Sequence, residues 1–251
     1  MGRIAKMILG MALFTGLSLN ADAQMLRDYV NDAGKLLGGN SKKKDKTAIT
    51  NTEIVAGLKE ALDMGAKTAT NKLSVKDGFF GNAMVKVLMP PEAAKVESTL
   101  RQFGMGAYVD KAILSMNRAA EDAAIKAQPI FIDAIKNMTI MDALNILKGN
   151  NDAATQYLRS KTEAQLKTAF KPVIEESLGR VNATKYWTEM CEIYNNLPTT
   201  YKKVNPDLAE HVTNRALNGV FVYIAEEENK IRMNPAARAT DLLKKVFSYG
   251  K

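Results

Sequence analysis

The chain has 251 residues, 46% of them hydrophobic and 25% charged, with 35 Lys+Arg against 27 Asp+Glu and a net charge of +8. That is a globular composition, neither disordered nor fibrous, at a length that fills one large core or two small ones. One Cys and one His exclude a disulfide framework, a thiolate zinc site, an iron–sulfur cluster and a poly-histidine metal centre.

The first residues read as an address. Arg3 and Lys6 form a basic start, Met7 to Leu19 a short, mainly apolar run, and Ala21-Asp22-Ala23 the small residues that a signal peptidase reads. This is the pattern of a secretory signal peptide, residues 1–23, cleaved near Ala23 before Gln24. The apolar run is too short to span a bilayer, which takes about 20 residues. The longest later run is Gly219 to Ala225, so no transmembrane segment is expected in the mature chain, and its destination is the periplasm or the exterior. With Gln24 rather than Cys directly after the cleavage site, a lipid anchor is not expected. Removal of Arg3, Lys6 and Asp22 lowers 35 basic residues to 33 and 27 acidic residues to 26, a net charge of +7. In an envelope compartment a basic protein meets lipid headgroups, lipopolysaccharide and acidic glycans, and nucleic acid is not the expected partner. Residues 24–49 read as a short N-terminal helix and a flexible linker. Lys42, Lys43, Lys44 and Lys46 in that linker are either simply solvated or in peripheral contact with an anionic membrane.

From residue 50 onward the apolar residues recur at three and four, the period of helices. The expected fold is all-α: a single multi-helix, bundle-like domain over 50–251, with at most one short extended or β segment near 83–89. Thr50 with Glu53, Thr139 with Asp142 and Thr162 with Gln165 have the spacing of capping boxes. Asn205-Pro206 and Asn234-Pro235 place a cap residue ahead of a proline at the first helical position. Gly38, Gly104, Gly149 and Gly179 mark stops, which predicts helices near 51–72, 91–103, 107–137, 139–148, 151–160, 162–179, 182–196, 206–231 and 235–248. Pro129 and Pro172 fall inside these patterns and predict a kink or restart at each. Met84 to Pro91 breaks the period. It is β-branched, short and bounded by Gly and Pro, and reads as a lone strand or an extended crossing without a partner.

Two polar groups stand out. Asn117, Arg118, Glu121 and Asp122 gather on one face of the helix that begins near Ala107, either as a charged-ligand site or as ordinary pairs along a helix. The stripe Leu208, Val212, Ala216, Val220, Ile224 and Ile231 continues through Glu227 or Glu228. At least one carboxylate therefore points to the apolar side and must find a cation or donors. Arg232, Arg238 and Arg118 are its candidate partners. The group is then a buried ion pair that fixes helix docking, or a ligand-binding or acid/base carboxylate.

Metal readings fail. The only His follows Glu210 directly, not in the Glu-x-x-His spacing of a di-iron bundle. Met138 and Met141 share a face, but the methionines are better read as adaptable core filler. Neither a G-x-S-x-G motif nor a phosphate-binding glycine loop occurs, and Cys191, at helical spacing from Trp187 and Tyr194, reads as a buried thiol. No cofactor or metal is expected.

At Met116-Asn117-Arg118-Ala119-Ala120-Glu121, Ala127-Gln128-Pro129-Ile130-Phe131, Asp142-Ala143, Ile146-Leu147-Lys148-Gly149 and Ala153 to Leu158, the chain resembles the bacterial family called domain of unknown function 4197. Asp77-Gly78-Phe79, Ala225 to Arg232, Asn234 to Arg238 and Leu242 to Phe247 are similar too, so the resemblance spans nearly all of the mature chain. It implies a secreted helical domain without an assigned activity. It also draws attention to Asn117, Arg118, Glu121, Glu227 and Arg232, which lie in these segments as a site or a docking seam. The reading favoured here is a binding module for a lipid-like or amphipathic ligand, or for a partner protein, held between helices rich in Ala and Met. The alternatives are an envelope hydrolase that uses Glu121 or Glu227 as acid/base, and a purely structural interaction protein.

Overall fold

The computed structural model describes residues 49–249 apart from Met105, 181–182, 185–186, 189–191, 193–194, 197–202 and 206, and only the backbone of Thr99, Leu100 and Tyr249. The signal peptide, the lysine linker, Cys191 and Tyr194 lie outside the described residues, as does most of the helix expected over 182–196. Regular structure among the described residues is helical throughout: α1 (Asn51–Leu73), α2 (Ala94–Gln102), α3 (Gly106–Ala124), α4 (Ala127–Lys136), α5 (Ile140–Lys148), α6 (Ala153–Arg180), α7 (Leu208–Met233) and α8 (Asp241–Tyr249). Short 3-10 turns precede α2 and α8, at Pro91–Ala93 and Pro235–Ala237. The fold is all-α.

Local chemistry explains the starts. Thr50 and Thr139 each accept a bond from the backbone N–H three residues on, while Glu53 and Asp142 reach back to the cap N–H at 2.8 and 3.0 Å. These satisfy amides that a helix N-terminus otherwise leaves without a partner. Ahead of α7 the cap is Asp207, not Asn205. The Asp207 carboxylate accepts from Glu210 N at 2.8 Å, and Asn205 instead accepts from Asp207 N in the turn.

Two expected boundaries move. The helix expected over 107–137 divides into α3 and α4 at Ile125–Lys126, so Pro129 stands in the first turn of α4, where its missing N–H removes no bond. The expected pair 151–160 and 162–179 is instead the continuous α6. Thr162 does not cap. It is buried, and its hydroxyl donates back to Leu158 O at 2.6 Å, so no Gly or Pro and no competing cap interrupts the helix there. Pro172 stays inside α6 on its exposed face, with Thr168, whose carbonyl loses a donor, also exposed to water.

Helix α7 is the axis of the bundle, packing on α6, α1 and α3, while α1 also packs on α4, α5 and α8. Small residues permit this closeness: Ala66, Ala69, Ala119, Ala120, Ala123 and Ala216 are fully buried. Phe131 and Phe221 meet edge to face with centroids 5.8 Å apart, a geometry the aromatic quadrupole favours. The segment between α1 and α2 crosses this bundle. It turns over 76–81 and runs without helical or sheet structure over 86–90, with Phe79, Val85 and Val87 sunk into the core. Segment and helix touch at Gly219 of α7, where an added Cβ would lie 2.6 Å from the Phe79 ring and 3.3 Å from Val85 Cβ.

Gly219→Ala is therefore expected to destabilise the protein by about 1–3 kcal/mol through overpacking, despite alanine's better helix propensity. Gly179→Ala, where no atom of the described residues beyond its chain neighbours and its own helix backbone lies within 4 Å of the added Cβ, is expected to be neutral or stabilising. Urea unfolding of both variants checks the contrast.

Candidate functional site

A segment with no strand beside it must still satisfy its buried N–H and C=O groups. Here helix side chains do so. Asn117 of α3 is fully buried and pairs with the Val87 backbone as a neighbouring strand would: its Oδ1 accepts from Val87 N at 2.8 Å, and its Nδ2 donates to Val87 O at 2.8 Å. One turn on, Glu121 is 3% exposed, and its Oε1 accepts from Phe79 N and Phe80 N at 3.1 and 3.2 Å. The His211 Nε2 of α7 lies 2.9 Å from Leu88 O, so the tautomer with hydrogen on Nε2 donates there. Three side chains from two helices thus clamp four residues of the crossing.

Arg118 completes the group. It donates to Glu121 Oε2 at 2.6 Å and to Asp77 Oδ1 at 2.7 Å, and its guanidinium faces the Phe80 ring 5.8 Å away. Asp77 stands at φ 67°, in the left-handed region that Asp tolerates better than most residues. Hydrogen bonds from Arg118 to the carboxylates of Asp77, then Glu121, hold the guanidinium protonated above the usual arginine range. Asp122 turns away to accept from Ser177 and Arg180 of α6.

Glu227 and Arg232 are elsewhere. Glu227 accepts from Lys72 and Lys230, both at 2.9 Å. Burial pushes its carboxyl up, but the two ammonium groups outweigh that, and its net shift is downward. The carboxylate on the apolar stripe is Glu228, which caps α6 from a distance by accepting from Ala154 N, Thr155 N and Thr155 Oγ1 at 2.8–2.9 Å. Arg232 pairs with Glu228 at 2.8 Å and donates to Ile146 O at 2.8 Å, tying the end of α5 to the start of α6. The buried Arg238 donates to Ile231 O and Arg232 O, the last carbonyls of α7, where a cation suits the helix dipole.

Of the residues singled out in the sequence, Asn117, Arg118 and Glu121 meet in one cluster. Glu227 and Arg232 belong to two others, and among the described residues no hydrogen bond joins them to the first. The sequence reading missed Asp77 and His211 as partners, because the link depends on a crossing whose path has no periodic signature. Among the described residues no group of three or more His, Cys, Asp or Glu side chains is placed to hold a metal ion, and no helix is long and apolar enough to cross a membrane. The cavity beside Glu228 is about 20 Å³, room for one water rather than an acyl chain.

Residues 48–248 match the family model described as protein of unknown function (DUF4197). The chain belongs to this family. Searches of curated proteins and of solved structures return no match. Both clamps lie within the matched residues: Asp77-Gly78-Phe79 meets Asn117 to Glu121, while Glu228 and Arg232 meet Ile146, Ala154 and Thr155.

His211 gives the clamp a pH signature. Burial lowers its pKa, with Arg215 adding to the shift and the Leu88 carbonyl and Glu92 opposing it. The unfolded chain therefore takes up the proton first as pH falls below the ordinary histidine value near 6.5. Stability should fall as pH drops through that value, and His211→Gln should flatten the slope between about pH 5 and 7. The chain has one histidine, so urea unfolding across that range tests it cleanly. An unchanged slope in the variant contradicts it.

Proposed function

We propose that this protein is a binding module of the bacterial envelope that takes an anionic amphiphile, a lipid-like ligand, on the outer face of the segment 74–90. One observation carries this reading. Val75, Met84 and Leu88 keep 56, 59 and 55% of their surface exposed on a segment whose backbone is pinned by buried side chains. Large apolar groups held in water on a fixed frame retain their transfer free energy for whatever covers them, about 1 kcal/mol or more for each.

Charge selects the partner class. Lys76 and Lys86 lie on the same segment without a carboxylate partner among the described residues, Lys86 over the Phe80 ring at 3.9 Å. Asp77, the segment's own acid, is paired with Arg118. An open depression beside this face is lined by Lys72, Val75, Lys76 and Tyr223. The lysine run at 42–46 and the net charge of +7 left after removal of residues 1–23 attract the same anions. The address in residues 1–23 supports a periplasmic or secreted location, where such ligands are abundant. A ligand on this face needs no cavity between helices, which moves the expected site from the interior to the surface.

A hydrolase reading needs a carboxylate free to exchange protons with substrate. Glu121 instead accepts two amides and a guanidinium, and Glu227 two ammonium groups.

Flotation with vesicles tests the proposal. The protein should bind phosphatidylglycerol-containing vesicles and leave pure phosphatidylcholine vesicles free. Met84→Asp with Leu88→Asp should weaken binding by at least about tenfold with the thermal midpoint preserved. Undiminished binding by the double variant, or no binding by the unmodified chain, contradicts the reading.

A further inference from the structure

On another part of the bundle, residues of α4, the start of α5 and the first half of α6 line a cleft. The cleft there holds about 260 Å³ and opens to solvent. Its floor is apolar: Ile130, Ala134 and the Tyr157 ring, whose hydroxyl points to Ala134 O at 3.4 Å. Its rim is polar, with Asp133 and Asn137 on one wall and Lys161 and Gln165 on the other.

The rim groups differ in how far their hydrogen-bonding capacity is already used. Asp142 accepts from Thr139 N and Thr139 Oγ1 at 3.0 and 2.7 Å, both on Oδ2, and so caps α5. Asp133 accepts only a long 3.4 Å contact from Asn137. Gln165 makes no hydrogen bond among the described residues, and the Lys161 ammonium, 5.7 Å from the Tyr157 ring centroid, attracts the Asp142 carboxylate without a hydrogen bond among the described residues. The cleft thus pairs an uncommitted carboxylate acceptor with uncommitted amide and ammonium donors above a flat aromatic floor.

We infer that this cleft binds one neutral sugar unit of a glycan. Its C–H face would lie on Tyr157, its hydroxyls donating to Asp133 and accepting from Gln165 and Lys161. The competing ligand classes fit less well. An anion would face the carboxylates of Asp133 and Asp142. A compact organic cation at the Tyr157 ring would be repelled by the Lys161 ammonium, 5.7 Å from the ring centroid, whereas a neutral ligand would not. A saccharide needs no net charge, uses donors and acceptors together, and presents an apolar face of the right shape to an aromatic ring. Burial, with the nearby Asp142 charge, raises the Tyr157 pKa and keeps its hydroxyl protonated at neutral pH.

Saturation-transfer NMR on the full chain, with glucose, N-acetylglucosamine and choline as separate probes, tests the site. Transfer to the ring protons of at least one sugar is expected at millimolar affinity, with none to choline. Asp133→Ala with Gln165→Ala should weaken that signal by about tenfold. Asp133 and Gln165 are exposed, so the fold should survive, and an unchanged thermal midpoint verifies this. Met84→Asp with Leu88→Asp should leave sugar binding intact, which separates this site from the amphiphile face. Transfer to choline instead of sugar, no transfer to either sugar, or full sugar transfer in the Asp133/Gln165 double variant overturns the inference.

Discussion

An extended segment that crosses a helical bundle without a neighbouring strand has nowhere in the backbone to place its hydrogen bonds. Each buried N–H or C=O left unpaired would cost on the order of 1–3 kcal/mol. Asn117, Glu121 and His211 resolve this by acting as a strand's edge built from side chains. Much else follows from that solution. Asn117 and Glu121 must occupy one stripe of α3, a turn apart. Arg118 must neutralise the buried Glu121 carboxylate, and Asp77 must balance Arg118 in turn. Gly219 must lack a side chain where Phe79 enters. The outer side of the same segment is thereby held rigid in water, with its apolar residues displayed.

The far end of the bundle applies the same device to a helix terminus. Helix α6 receives its second and third amides' partner from Glu228, far along the chain, and Arg232 holds that carboxylate while closing the end of α5. Buried ion pairs of this kind contribute less to net stability than to the uniqueness of a packing, since desolvation offsets most of the attraction. Removing one member is nevertheless costly, because the other is left charged and unpaired. The two clamps therefore set the register of α7 against α3 and α6 more than they deepen the energy well.

The sequence made the helices legible because their causes are local. Thr50 with Glu53 and Thr139 with Asp142 are complete instructions within four residues, and the apolar spacing of α7 marks its buried face. The demand for a buried carboxylate near 227–228 was also readable, and Glu228 with Arg232 answers it. What could not be read was long-range. Thr162 has the spacing of a cap, but its burial under tertiary packing turned the hydroxyl back onto Leu158. Asn117, Arg118 and Glu121 were visible as a polar group on α3. Their purpose depends on Phe79, Phe80 and Val87, more than 29 residues away along the chain and on a segment with no period of its own.

Backbone hydrogen exchange at three amides tests this account most directly. Phe79, Phe80 and Val87 sit in a segment with neither helix nor sheet, and ordinary loop amides exchange by local opening at little cost. If Glu121 and Asn117 hold the crossing as described, these amides exchange as slowly as the cores of α3 and α7, through global unfolding alone. Exchange at the rate of a free loop would contradict the clamp and, with it, the rigid face on which the proposed binding rests.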